Sequence, residues 1–259
     1  VDKNEVERLW EGNAEAWTQL SRMGYDICRD FYNAPAFQEL LPDISGFVGL
    51  DIGCGEGTNT RMTAKRCKKL HAIDISPSFI KYARESEKVE PLGIDYQVGD
   101  AQNLPFSDST FDFAISTMCM MSLFDPALAL KEVYRILKKG GFFQFSITHP
   151  CYDTPIRFWV DGEDGKRVAL AVGGYFEGKE QVYDWIFHSA PQELREKYPK
   201  FQEWAKHHTL SQWLNMISDI GFTIERLNEP FITDNAIKAC PSLYDLKIVP
   251  IFLHIRCKK

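Results

Sequence analysis

The sequence predicts an α/β protein built on a mostly parallel sheet with helices on both faces. Three observations point there. From residue 47 onward, short apolar runs alternate with amphipathic stretches of helical length. The first run ends in a turn with glycine at every second position, Gly53, Gly55 and Gly57. Three acids, Asp51, Asp74 and Asp100, close the first three apolar runs. Alternating β and α units of this length favour parallel pairing with crossover helices, and ligands of such sheets bind at the carboxyl ends of the strands.

Each element has its own signal. Val6, Leu9, Trp10, Ala14, Trp17 and Leu20 recur near helical spacing, so the chain opens with an amphipathic helix. A broken stretch with Tyr25, Phe31, Tyr32 and Asn33 leads to a short helix near Pro35. Strands are expected at 47–51, 70–74, 94–98, 111–116 and 142–147, with a helix at 58–67 after the glycine turn. Ser76 followed by Pro77 marks an N-cap and first helical residue, starting a helix that reaches about residue 86. Leu130, Val133, Tyr134 and Leu137 form the apolar face of the next helix, which Gly140 and Gly141 are expected to stop. Thr209 caps a helix carrying Leu210, Trp213, Leu214 and Ile217, ended by Gly221; strands from Phe222 and from Lys247 complete the sheet.

The segment 150–206 interrupts this pattern. It holds eleven aromatic residues, among them Tyr152, Phe158, Trp159, Tyr175, Tyr183, Trp185 and Trp204, and it leaves the carboxyl end of the fifth strand. Long connections at that edge tend to be lids or binding elements. The expected organisation is an N-terminal helical cover (1–45), a ligand-binding core (46–149 and 207–259) and an aromatic insertion between them (150–206).

Composition narrows the function. Hydrophobic residues make up 44% of 259, enough for a sizeable core. No apolar run is long enough to span a bilayer, and the first residues are charged rather than leader-like. The seven cysteines are scattered, with no CxxC pair, so reduced thiols in a cytoplasmic protein are expected, with no zinc site. A net charge of −6 disfavours a nucleic-acid partner.

The glycine turn decides which ligand is expected. The dinucleotide fingerprint wants a third glycine where this chain has Thr58, and Asp51 would bring negative charge toward a pyrophosphate. An acidic lip suits a cationic nucleoside, and S-adenosylmethionine, a sulfonium, fits. Asp74 is placed to accept hydrogen bonds from ribose hydroxyls. Asp100 could hold an adenine amino group, with Ala101 and Gln102 shaping the base pocket.

These segments together resemble the class I S-adenosylmethionine-dependent methyltransferases, in particular a methyltransferase domain 11-like subgroup. The glycine turn is similar to that family's first motif and AIDIS (72–76) to its second. VGDAQNLPF (98–106) with FDFAIS (111–116) resembles its third and fourth, and EVYRILKKGGFFQFSI (132–147) its fifth-strand segment. The resemblance implies a Rossmann-like, mostly parallel seven-stranded sheet, with S-adenosylmethionine as cofactor and S-adenosylhomocysteine as product. It implies that Gly53 and Gly55 meet the methionine moiety and Asp74 the ribose. Ile75, Asp100 and Ala101 would meet the adenine, and Thr117 and Met118 would lie along the cofactor. Tyr25 and Asn33 are candidates for the methionine carboxylate, with aromatic packing and a turn as their alternative roles.

Transfer from a sulfonium needs mainly in-line alignment. If the acceptor carries a proton, His149, just past the fifth strand, is the leading base, with shaping the turn before Pro150 as its alternative. His207 is a weaker candidate, since it and His208 precede the Thr209 cap; Cys151 is expected to line the pocket as a buried thiol. The expected activity is methyl transfer to a small-molecule acceptor, apolar or aromatic to suit the insertion. The alternatives are a nucleic-acid or protein methyltransferase, a non-catalytic binder of the same cofactor, and an NAD-dependent oxidoreductase. The proline-aromatic tetrad of many nucleic-acid N-methylating enzymes has no match at Ser116, Thr117, Met118 and Cys119.

Overall fold

The computed structural model describes residues 1–178 and 180–259. The chain begins with α1 (Lys3–Arg22), capped by the Asp2 side chain accepting from the Glu5 N–H. A single π-helical turn, Arg29–Asn33, runs into α2 (Ala34–Leu40). The alternating core follows: β1 (Val48–Ile52), α3 (Thr58–Ala64), β2 (Lys69–Asp74), α4 (Pro77–Val89), β3 (Asp95–Val98), β4 (Phe111–Thr117), α5 (Pro126–Ile136) and β5 (Leu137–Thr148). The insertion holds β6 (Ile156–Asp161), β7 (Arg167–Gly173), β8 (Glu180–Trp185), α6 (Gln192–Lys197) and β9 (Phe201–Lys206). The chain closes with α7 (Leu210–Ile220), β10 (Thr223–Asn228), α8 (Asp234–Ala239) and β11 (Phe252–Lys258).

Seven strands form one sheet in the order β10-β11-β5-β4-β1-β2-β3. The five strands from β5 to β3 pair in parallel, while β11 runs antiparallel to both β5 and β10. The order reverses between β1 and β4, and that crevice at the carboxyl edge is where open α/β sheets bind ligands. Leu50, Ile52, Phe143, Phe145, Val133 and Ile217 share the main buried cluster, joining the sheet to α5 and α7. Among the described residues, no helix is long and apolar enough to cross a membrane.

Local chemistry explains most boundaries. Ser76 accepts from the Phe79 N–H and Pro77 opens α4, as expected. Thr209 and Gln212 form a reciprocal capping box on α7, and Gly221, at φ 107°, takes the left-handed conformation that ends it.

Two boundaries differ from expectation. Gly140 and Gly141 do not stop α5, which ends at Ile136; they lie inside β5 in a bulge. There Phe111 pairs with Leu137 but Phe113 pairs with Phe142, and Gly140, at φ 81°, carries the extra chain. The last strand begins at Phe252 rather than Lys247, because Pro241–Lys247 winds into a 3-10 turn that packs Leu243 and Leu246 against Phe252.

The insertion is two antiparallel ribbons, β6 with β7 and β8 with β9, rather than a loop. The β8–β9 ribbon meets α1 through an aromatic cluster in which Trp17 sits edge-on to Trp185 and Phe187 and tilted to Phe201, with centroids 4.9–5.4 Å apart. Four aromatics of 150–206, Trp185, Phe187, Tyr198 and Phe201, therefore form the contact between insertion and N-terminal cover.

A close approach inside the sheet gives a test of this packing. A Cβ on Gly49 of β1 would stand 2.2 Å from the Phe113 ring of β4, and that ring is stacked on Phe142 of β5. Gly49→Ala is expected to lower unfolding free energy by about 1–3 kcal/mol in urea titration. Adding Phe113→Leu should recover part of that loss; a neutral Gly49→Ala would show that the ring has room to move.

Candidate active site

The glycine turn follows β1 in a run of left-handed residues, with Gly53, Gly55 and Gly57 at φ 72°, 54° and 93°. Each of the first two positions has a distinct reason for glycine. A Cβ on Gly53 would lie 2.3 Å from Cys119 Sγ, so this position lets β4's following loop close onto the turn. A Cβ on Gly55 would meet nothing within 4 Å, so Gly55 presents bare backbone to open space. That is a cradle for a ligand lying against the main chain.

Asp74, at the end of β2, accepts from the Gly55 N–H at 2.8 Å and from the Ser76 N–H at 3.0 Å. Burial pushes its carboxyl up to about 6 despite these two donors. Asp100 is ion-paired with Lys3 of α1 and accepts from the Gln102 N–H at 2.9 Å. Gln102 in turn accepts from the Asp125 N–H at 3.0 Å, joining the loop after β3 to the start of α5. Ile75 is half-buried beside Asp74, and Ala101 is buried in the main core.

The loop after β4 shows strain. Met118 has φ 56°, rare for a residue with a side chain, and is held there as its N–H reaches the Ser146 carbonyl and hydroxyl. The neighbouring Thr117 hydroxyl is buried without a hydrogen-bond partner. A left-handed methionine, an orphaned hydroxyl and an open glycine along the β1/β4 crevice together fit a polar ligand bound at this edge.

Four expectations need correction. Asp51 is not an acidic lip: it is 1% exposed beneath the turn, where one oxygen accepts from the Thr60 hydroxyl at 2.7 Å. Burial raises its carboxyl to about 7, and its other oxygen has no partner. Asn33 does not face the turn either, since its side-chain oxygen accepts from His254 Nε2 at 2.6 Å on β11. Cys151 is exposed rather than buried.

His149 is the fourth. It is 3% exposed, and both ring nitrogens are engaged: Nδ1 accepts from the Cys151 N–H at 3.1 Å and Nε2 donates to Glu229 at 2.9 Å. With no free lone pair, the ring as placed supports the turn after β5 and ties it to the end of β10. His207 is similarly occupied, its nitrogens facing the Asp153 and Tyr175 carbonyls at 2.7 and 2.9 Å. Tyr25 packs into the aromatic cluster of α1 and the β8–β9 ribbon.

Glu203 of β9 carried no sequence motif, only an acid between buried Phe201 and Ala205. It accepts from the Ser122 hydroxyl at 2.8 Å and from Trp185 Nε1 at 3.0 Å, and burial raises its pKa. Ser122 lies in the short turn after β4, so Glu203 fastens the insertion to the crevice. A cleft of about 550 Å³ opens elsewhere, between α1 and the ribbon at Arg8, Asn13, Asp184 and Lys200. The strained loop and open backbone make the strand ends, rather than this cleft, the candidate site.

Asp51 also sets a pH dependence. Its pKa is higher folded than unfolded, so its contribution is fully present below about pH 4 and is lost as pH rises toward about 7. Asp51→Asn is therefore expected to raise stability at pH 8, by an amount on the order of 1–4 kcal/mol, and to change little at pH 4. Thermal melts of both proteins across this range check it; an equal shift at both pH values would remove the ionisation argument.

Residues 50–145 match the family described as methyltransferase domain. A malonyl-[acyl-carrier protein] O-methyltransferase of Yersinia pestis is 32% identical over 146 residues, 56% of this chain and 51% of that protein. A fatty-acid O-methyltransferase of Mycolicibacterium smegmatis is 32% identical over 117 residues, 44% of this chain and 41% of that one. The chain thus spans about half the length, or less, of these curated relatives. An S-adenosylmethionine-dependent methyltransferase from Mesorhizobium loti superposes with a TM-score of 0.71 at 26% identity, covering 87% of this chain and 96% of that one. A Listeria monocytogenes structure shares the fold, with a TM-score of 0.72 at 23% identity over 91% and 99% of the two chains. Glycine turn, strand order and family match agree, and the sheet-forming core of this chain is a methyltransferase domain of the class I S-adenosylmethionine-dependent type.

Proposed function

We propose that the protein is an enzyme that transfers the methyl group of S-adenosylmethionine to a small-molecule acceptor. The observation that carries this reading is the open backbone at Gly55, with the Asp74 carboxylate fixed on its N–H. When bound, S-adenosylmethionine supplies a sulfonium methyl that passes to the acceptor's nucleophile in line, leaving S-adenosylhomocysteine. The chain's own residues bind and orient. Asp74 would accept from the ribose hydroxyls, and Gly53 and Gly55 would receive the methionine moiety. Ile75, Asp100, Ala101 and Gln102 would border the adenine, and the Thr117 hydroxyl and Met118 would lie along the cofactor's flank.

In this reading 1–45 is a cover and 150–206 a lid on the core formed by 46–149 and 207–259. Support comes from Lys3 on Asp100, and from Glu11 of α1 on Ser76 and Ser78, which bring the first helix to the ends of β2 and β3. The net charge of −6 and the two relatives named for malonyl and fatty-acid O-methylation favour an apolar or acyl acceptor over nucleic acid. An ionised carboxyl acceptor needs no base, which suits a His149 committed to its turn; alignment and exclusion of water then supply the rate.

Calorimetric titration with S-adenosylhomocysteine tests the cofactor. Asp74→Ala is expected to weaken binding by about 1.5–3 kcal/mol through lost charge-assisted hydrogen bonds. Because Asp74 also braces the turn, Asp74→Asn, which keeps an acceptor, should lose less. A wild-type protein that binds no S-adenosylhomocysteine would sink this reading. Labelled S-adenosylmethionine with a series of free fatty acids and aromatic carboxylic acids then tests the acceptor.

A further inference from the structure

We propose that the β6–β7 ribbon docks a second copy of this chain, its outer face pairing with the same face of the partner in a two-fold dimer. The proposal is independent of the cofactor reading. Among the described residues β6 and β7 pair only with each other, and a lone two-stranded ribbon is marginal in water unless something packs on it. Residues directly opposite each other in such a ribbon share a face. Ile156 is opposite Gly173, Phe158 opposite Ala171 and Val160 opposite Ala169, so one face carries no polar side chain along these three rows. Ile156, Phe158 and Val160 are 53%, 60% and 38% exposed, a contiguous apolar row of the kind that marks an interaction site. The other face is the one fastened to the body of the chain. There Arg157 pairs with Asp153, and Arg167 covers the Trp159 ring and pairs with Asp245.

Shape, area and charge select a second copy as the occupant. On this face the bulky residues all lie on β6 and the small ones all lie on β7. A two-fold axis running along the strands lays each β6 over the partner's β7. Phe158 then meets the partner's Ala171, Val160 the partner's Ala169 and Ile156 the partner's Gly173, so large sits on small in every row. The exposed part of the face is on the order of 400 Å². That is close to the apolar share, about 450 Å², of the surface each partner buries in an interface of standard size. The face itself is uncharged. Around it Arg157, Lys166 and Arg167 are each paired with an acid of the same chain, so the ribbon offers no unpaired cation, among the described residues, to an acidic protein or an anionic lipid surface.

Sedimentation velocity of the whole chain at about 1–100 μM tests this, with circular dichroism to show that each variant is folded. The wild type is expected to pass from monomer to dimer within that range. Phe158→Asp, at the centre of the face, should raise the dissociation constant about 30-fold or more, the scale of an interface hot spot. Ala171→Phe separates the proposed register from general stickiness. In the two-fold register it overfills the seat of the partner's Phe158 and weakens the dimer, whereas a patch that adheres to any apolar surface would associate more strongly. Combining Phe158→Ala with Ala171→Phe exchanges the large and small positions and should restore most of the lost association. A wild type that stays monomeric to about 100 μM, a dimer indifferent to Phe158→Asp, or a dimer strengthened by Ala171→Phe would overturn the proposal. If a monomeric wild type floats with phosphatidylcholine vesicles and Phe158→Asp does not, the face binds lipid instead.

Discussion

The Asp74 carboxylate grips two backbone N–H groups, one on Gly55 and one on Ser76. It thereby fixes the glycine turn after β1 to the end of β2 and the start of α4. Those three elements meet at the crevice where strand order reverses, so the shape of that edge depends on one buried acid. Burial opposes its charge, and the raised pKa records that tension. A ligand hydroxyl donating to the same carboxylate would relieve it, which gives the bound state an electrostatic advantage the empty turn lacks. Asp51 beneath the turn repeats the pattern with one donor, Thr60, and one orphaned oxygen.

The cover and the insertion are joined to this edge by different physics. α1 reaches the strand ends through polar contacts: Lys3 on Asp100, Glu11 on the Ser76 and Ser78 hydroxyls, Arg22 on Glu56. Such pairs are individually weak where solvent reaches them. The insertion is joined to α1 by apolar rings around Trp17 and to the core by the buried Glu203–Ser122 contact. Polar contacts on α1 can be exchanged for ligand contacts at modest loss, whereas the aromatic seam resists separation. Cover and insertion are therefore expected to move as one body when the crevice fills.

Much of this was legible in the sequence, because the signals were local. Ser76-Pro77, Thr209 with Gln212, and Gly221 each state their role through hydrogen bonds that reach only a few residues. Apolar runs ending in Asp51, Asp74 and Asp100 marked the right strands. What failed was long-range. Asn33 lies near the cover in sequence, but its partner is His254, on the opposite end of the chain. Nothing near His149 in sequence signals that Glu229, eighty residues on, takes one of its ring nitrogens. The ribbons of 150–206 were hidden because β6 and β7 are largely exposed and the buried rings of the β8–β9 ribbon pack against α1, far away in sequence. Gly140 and Gly141 read equally well as a helix stop and as a bulge, and only the register of β4 against β5 distinguishes the two. Glu203 belongs to no motif; its meaning comes from what folds against it.

The central claim is that the glycine turn and the cover above it form the cofactor's seat. Amide hydrogen exchange with and without S-adenosylhomocysteine addresses it directly. Residues 53–58, 74–76 and 117–119 should gain protection together, accompanied by 25–30 of the cover. Protection confined to the β6–β7 ribbon or to the cleft at Arg8 and Lys200, with residues 53–58 unchanged, would contradict the account.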